Sequence, residues 1–155
     1  MEKYNRTVFR WIGIFALLYV SSCSAADKDF TMELQARVSG RQDIVRGGNA
    51  PASRPTLAAK AGDSLVVQWS ALNPGNGVSI ADVTLHVSLE RTPKEGTDSI
   101  YESAVVMDFD PGSKSSAELL LQVPAPGSYL LRVETIGAAK KLDREYLSAM
   151  DLKVQ

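Results

Sequence analysis

The chain has 155 residues, with 17 Lys plus Arg against 18 Asp plus Glu, one histidine and one cysteine. Residues 1–23 hold three of the cations (Lys3, Arg6, Arg10) and one of the anions (Glu2), so the 132 residues that follow carry 14 positive against 17 negative side chains. That length suits one domain with a core of ordinary size, and the acidic balance excludes a basic face for nucleic acid or anionic lipid.

In chain order, the first element is an export signal. Lys3, Arg6 and Arg10 precede the apolar run Trp11–Val20, which gives way to the small and polar residues Ser21–Ala26. This is the charged, apolar and small-residue order of a secretory signal. The apolar run is about ten residues, half of the roughly twenty that a membrane-spanning helix needs. Val20-Ser21-Ser22-Cys23 resembles the bacterial lipobox, which implies acylation of Cys23 as the new amino terminus; cleavage near residue 25–26 fits the same stretch. Residues 24–29 are then a short tether, and residues 30–155 a single domain. No cysteine follows residue 23, so no disulfide staples that domain and its apolar core must hold it.

From Phe30 to Val38 apolar and polar residues alternate with a period of two, Phe30, Met32, Leu34, Ala36 and Val38 on one side and Thr31, Glu33, Gln35 and Arg37 on the other. That period predicts a strand with one buried face. Arg46–Pro55, rich in glycine and proline, predicts a crossover loop. Alternation resumes in Ser64–Leu72 and again in the segment with Val83, Leu85, Val87 and Leu89 on one face. The next strand has Tyr101, Val105, Met107 and Phe109 on one parity. Ser115–Val123, Ser128–Ile136 and a last strand with Tyr146, Met150, Leu152 and Val154 complete the set. Turn chemistry separates them at Asn73–Gly77, Asp110–Gly112 and Pro124–Gly127. Seven to eight short strands at near-regular spacing predict an all-β, antiparallel, immunoglobulin-like sandwich; barrel closure is the alternative.

Ala61-Gly62-Asp63-Ser64-Leu65-Val66-Val67-Gln68-Trp69, followed by Asn73-Pro74-Gly75, resembles the opening of bacterial immunoglobulin-like modules, including those called cell-adhesion-related domains. Pro126–Val133 is similar to their penultimate strand, and together the likeness spans about residues 56–155. It implies a spacer, adhesin or accessory role at a cell surface. The chain lacks the cysteine pair of antibody-type domains, and Trp69 falls on what would be the second strand rather than the third.

Few residues offer chemistry. His86 is the single histidine, which rules out paired metal-binding histidines; its parity, between Thr84 and Ser88, predicts a solvated surface position. Asp108-Phe109-Asp110-Pro111-Gly112 has too few oxygen ligands for a calcium loop and predicts an Asp-initiated turn. All six aromatic residues beyond the signal (Phe30, Trp69, Tyr101, Phe109, Tyr129, Tyr146) fall on apolar faces, which leaves no exposed ring for sugar stacking. Lys140, Lys141 and Arg144, with Arg132 nearby, form a basic cluster in a predicted hairpin loop, a candidate partner contact.

The sequence therefore points to a non-catalytic exported module with neither cofactor nor metal. Its partner would be a protein, and its membrane link would be only a lipid on Cys23. It would reside in the cell envelope or in secreted or periplasmic form, with contacts on the loops Asn73–Gly77, Thr92–Asp98 and Gly137–Asp143. A small-ligand or carbohydrate-binding accessory domain is the alternative.

Overall fold

The computed structural model describes residues 30–74, 78–92, 99–123, 125–137, 142 and 145–155. Within them lie nine strands: β1 (Thr31–Val38), β2 (Val45–Arg46), β3 (Thr56–Ala59), β4 (Ser64–Leu72), β5 (Ile80–Thr92), β6 (Ser99–Phe109), β7 (Lys114–Gln122), β8 (Gly127–Ile136) and β9 (Leu147–Val154). They form two sheets, in the orders β2-β1-β4-β7 and β3-β9-β8-β5-β6. The predicted all-β sandwich is thus observed, with nine strands rather than seven to eight. Every neighbouring pair is antiparallel except β3 with β9. The short strands β2 and β3, too brief to show a period, flank the predicted crossover loop.

Cross-strand register puts the predicted apolar parities on facing inner surfaces. In the first sheet Leu34 is opposite Trp69, and Trp69 opposite Ala117; Val38, Leu65 and Leu121 make another such row. In the second, Leu89 is opposite Leu131 and Leu131 opposite Met150. All of these side chains but the half-buried Ala117, which packs against the rest, belong to one buried cluster, and full burial of each Val, Leu or Ile contributes about 1.5–3 kcal/mol. Phe30 closes one end, edge-on to Phe109 at 5.3 Å and to Tyr146 at 5.1 Å between ring centroids. At the start of β8, Tyr129 Oη donates to the Ala125 carbonyl at 2.7 Å, the backward bond of a tyrosine corner. Two residues on, where antibody domains place a cysteine, this chain has the buried Leu131.

Polar bonds fix the sandwich at two places. Gly47 N donates to Leu34 O of the first sheet, while Gly48 and Ala149 of the second exchange both backbone bonds at 2.8 Å. The pair therefore stitches the two sheets along one flank. A Cβ at Gly48 would collide with the Ser53 carbonyl, so the close approach requires glycine.

Asn73, fully buried, is the second. Its Nδ2 donates to Val78 O and Phe109 O at 3.1 Å each. Its own N–H and carbonyl bond to Ser113 O and Gly112 N. One side chain thereby locks the β4–β5 connection to the β6–β7 turn, so Asn73 is internal rather than part of a contact loop.

Asn73→Ala leaves the Phe109 carbonyl without this donor and is expected to cost about 1–3 kcal/mol in urea unfolding. Lys153→Ala, at an exposed site, should stay within about 0.5 kcal/mol of the parent. Gly48→Ala should cost about 1–3 kcal/mol through overpacking against Ser53.

Candidate functional site

The outer face of the five-stranded sheet carries the single histidine. Register places Ala104, His86 and Glu134 in one row across β6, β5 and β8, and Glu102, Ser88 and Arg132 in the next. His86 Nε2 lies 2.9 Å from Glu102 Oε1, and Nδ1 lies 3.2 Å from Glu134 Oε1. Arg132 continues the network: Nη2 donates to Glu90 Oε1 at 2.9 Å and Nε to Ser88 Oγ at 3.0 Å, with Glu134 Oε1 3.3 Å from Nε.

This corrects the expectation of a solvated histidine. The parity is as predicted and His86 does point away from the core, but its side chain is only 8% exposed because β6 and β8 bring a glutamate to each side of it. Arg132 is likewise ion-paired and is no free cation for a partner. Cys23, Lys140, Lys141 and Arg144 lie outside the described residues, as do most of the three loops expected to bear contacts. Asp108 and Asp110 serve loop geometry: Asp108 Oδ1 accepts from Asp82 N, and Asp110 Oδ1 from Ser79 Oγ. Among the described residues no group of three or more His, Cys, Asp or Glu side chains is placed to hold a metal ion.

Two hollows are polar. One, of about 380 Å³, lies on the outer face of the four-stranded sheet between Glu33, Gln35, Gln68, Ser116 and Glu118. Its only ring is Trp69, a member of the interior cluster. The other, of about 580 Å³, lies beside Gly47 and Gly48, whose N–H groups are already spent on Leu34 and Ala149. Neither hollow concentrates unsatisfied donors on a ligand.

The third region is the flank where β6 and β7, the outermost strands of their sheets, lie at the same side of the sandwich. They are the long edges, eleven and nine residues, against two for β2 and four for β3. The Asp110–Ser113 turn joins them, and a cleft of about 280 Å³ lies between, lined by Trp69, Tyr101, Val105, Met107, Ala117 and Leu119 among others. Ser115 Oγ reaches Met107 Sδ at 3.3 Å.

Aliphatic side chains are exposed along both edge strands: Val105 toward the cleft, Ile100 and Val106 on the outer face of the five-stranded sheet, and Leu120 on the outer face of the four-stranded one. Leu120 is 70% exposed, Val106 62%, Ile100 42% and Val105 41%, although Val105 has the inward parity. An edge strand of this length is ordinarily blunted by lysine, proline or a bulge that turns it away. β6, Ser-Ile-Tyr-Glu-Ser-Ala-Val-Val-Met-Asp-Phe, has no lysine and no proline, and its pairing with β5 is irregular only toward its two ends, at Leu89/Glu90 and Ile80/Val83. The sequence did hold a signal for this surface: Val105-Val106 and Leu119-Leu120-Leu121 interrupt the alternation and make both faces of a strand apolar.

The histidine network is expected to be coupled. His86→Ala should lower stability by about 1–3 kcal/mol. In a double-mutant cycle with Glu134→Ala, read from urea midpoints, a coupling of about 1 kcal/mol is expected.

No protein-family model matches the chain, and no curated protein matches it. Among solved structures, the chain is similar to a family 123 glycoside hydrolase from Clostridium perfringens, described for its hydrolysis of glycolipid glycans. The likeness is 14% in sequence with a TM-score of 0.45, and it covers 65% of this chain and 23% of that one. At that level the overlap assigns neither a family nor an activity.

Proposed function

We propose that this chain is an exported, non-catalytic binding module that works through protein contact on the β6–β7 flank. The observation that carries the proposal is the coincidence of two long, open edges with four exposed aliphatic side chains, Ile100, Val105, Val106 and Leu120. Exposed apolar side chains along open strand edges mark surfaces that another molecule covers. Catalysis finds no support in the one imidazole, because both of its ring nitrogens already face carboxylates. Export is supported by the charged, apolar and small-residue order of residues 1–26, and a surface role by the likeness to bacterial immunoglobulin-like modules. Among the described residues no helix is long and apolar enough to cross a membrane. The membrane link in this proposal is a lipid on Cys23, or none after cleavage near residue 25–26.

Two measurements test this. A photo-crosslinking residue placed at Val106 or Leu120 in the producing cell should yield protein adducts, and one at Lys153 should not; equal yields from all three positions would remove the flank from consideration. Mass spectrometry of the mature amino terminus should find acylated Cys23 or a free terminus near Ala26. An intact Met1 would overturn export.

A further inference from the structure

We infer that the open edge of β6 takes up an extended segment of a partner protein as an added strand, and that this segment is basic and alternately apolar; the inference rests on the flank contact just proposed. An outermost strand presents a row of backbone N–H and C=O groups, and an added strand satisfies them while its alternate side chains give specificity. Among the described residues, the far edge of β6 pairs with no strand.

The two faces of β6 set what the added strand must carry. Tyr101, Val105 and Met107 have the inward parity and line the cleft toward β7, so inward side chains of the newcomer meet an apolar wall. On the outer face β6 presents Ile100, Glu102, Ala104, Val106 and Asp108. The Glu102 side chain is 63% exposed even with His86 against one of its oxygens, and Asp108 is exposed too. No lysine or arginine lies on β6 to neutralise them. A strand laid alongside would therefore be favoured by basic residues facing Glu102 and Asp108, six positions apart or about 20 Å, with small or apolar residues between them facing Ala104 and Val106.

That charge pattern also disfavours the two central registers of β6 on β6 of a second copy. Antiparallel pairing of two β6 strands about Ala104 sets Glu102 against Val106 and Asp108 against Ile100. Pairing about Val105 sets Glu102 against Asp108. The first desolvates carboxylates on aliphatic side chains and the second opposes like charges, both unfavourable across a strand pair. The occupant is a strand of a different, basic chain.

The probe is a synthetic nine-residue peptide with lysine at its second and eighth positions, threonine at the fourth and sixth, and valine or leucine at the odd ones. Titrated into the full chain, it should bind saturably by calorimetry and slow hydrogen exchange within Ser99–Phe109. Replacing both lysines by glutamate should weaken binding roughly fivefold or more, and N-methylation of alternate peptide amides should abolish it. Equal binding of the glutamate peptide, or binding that leaves β6 amides unprotected, would overturn strand addition. So would self-association of the chain with β6 already protected, an outcome that assigns the edge to a second copy. Crosslinks from Val106 with no peptide protection of β6 would sink strand addition and leave the flank contact standing; absence of both would remove both.

Discussion

Every strand from β1 to β9 turns one face to a shared apolar interior, and with no cysteine beyond residue 23 that interior has no covalent reinforcement. The period-two pattern is therefore under a strict condition, since a one-residue slip in any pair would carry a whole row of side chains from the core to water. The buried hydrogen bonds follow from it. Asn73 closes two turns at one end of the sandwich, and Thr135 closes another by donating to Glu145 and accepting from Tyr146 N. Both residues sit where the alternation ends and backbone groups would otherwise be left dry.

What was legible in the sequence was what is local. Parity assigned Trp69, Phe109 and Tyr129 to the core, where they are buried, because the side of a strand on which a residue lies depends on its own neighbours. Parity also put His86 on the outer face. It could not give its burial, which depends on Glu102 sixteen residues later and Glu134 forty-eight residues later. The short strands β2 and β3 escaped for a related reason: two and four residues carry too little pattern, and their pairing is fixed by β1 and β9 from a distance.

The flank was the least legible feature and has the greatest bearing on function. Its exposure is a property of strand order, which places β6 and β7 last in their sheets. Val105 shows the difference: its parity is that of a core residue, yet it is solvent-exposed, with no further strand beyond it among the described residues. Doubled apolar residues at Val105-Val106 and Leu119-Leu120 signal a strand with two faces to cover, but such doubling equally suits a central strand packed on both sides.

The stitch at Gly47 and Gly48 makes the sandwich unequal from side to side. With backbone bonds crossing between the sheets on that side, and a turn with a Ser115–Met107 contact recorded between the edges on the other, the molecule resembles a book with a bound spine and a free fore-edge. An opening that breaks few buried contacts costs less than one that breaks many, so parting the pages is expected to cost least at the fore-edge. Such motion widens the hollow around Trp69, Tyr101 and Met107 while leaving the spine in register, so the side of the fold that is easiest to open is also the side with apolar surface to cover.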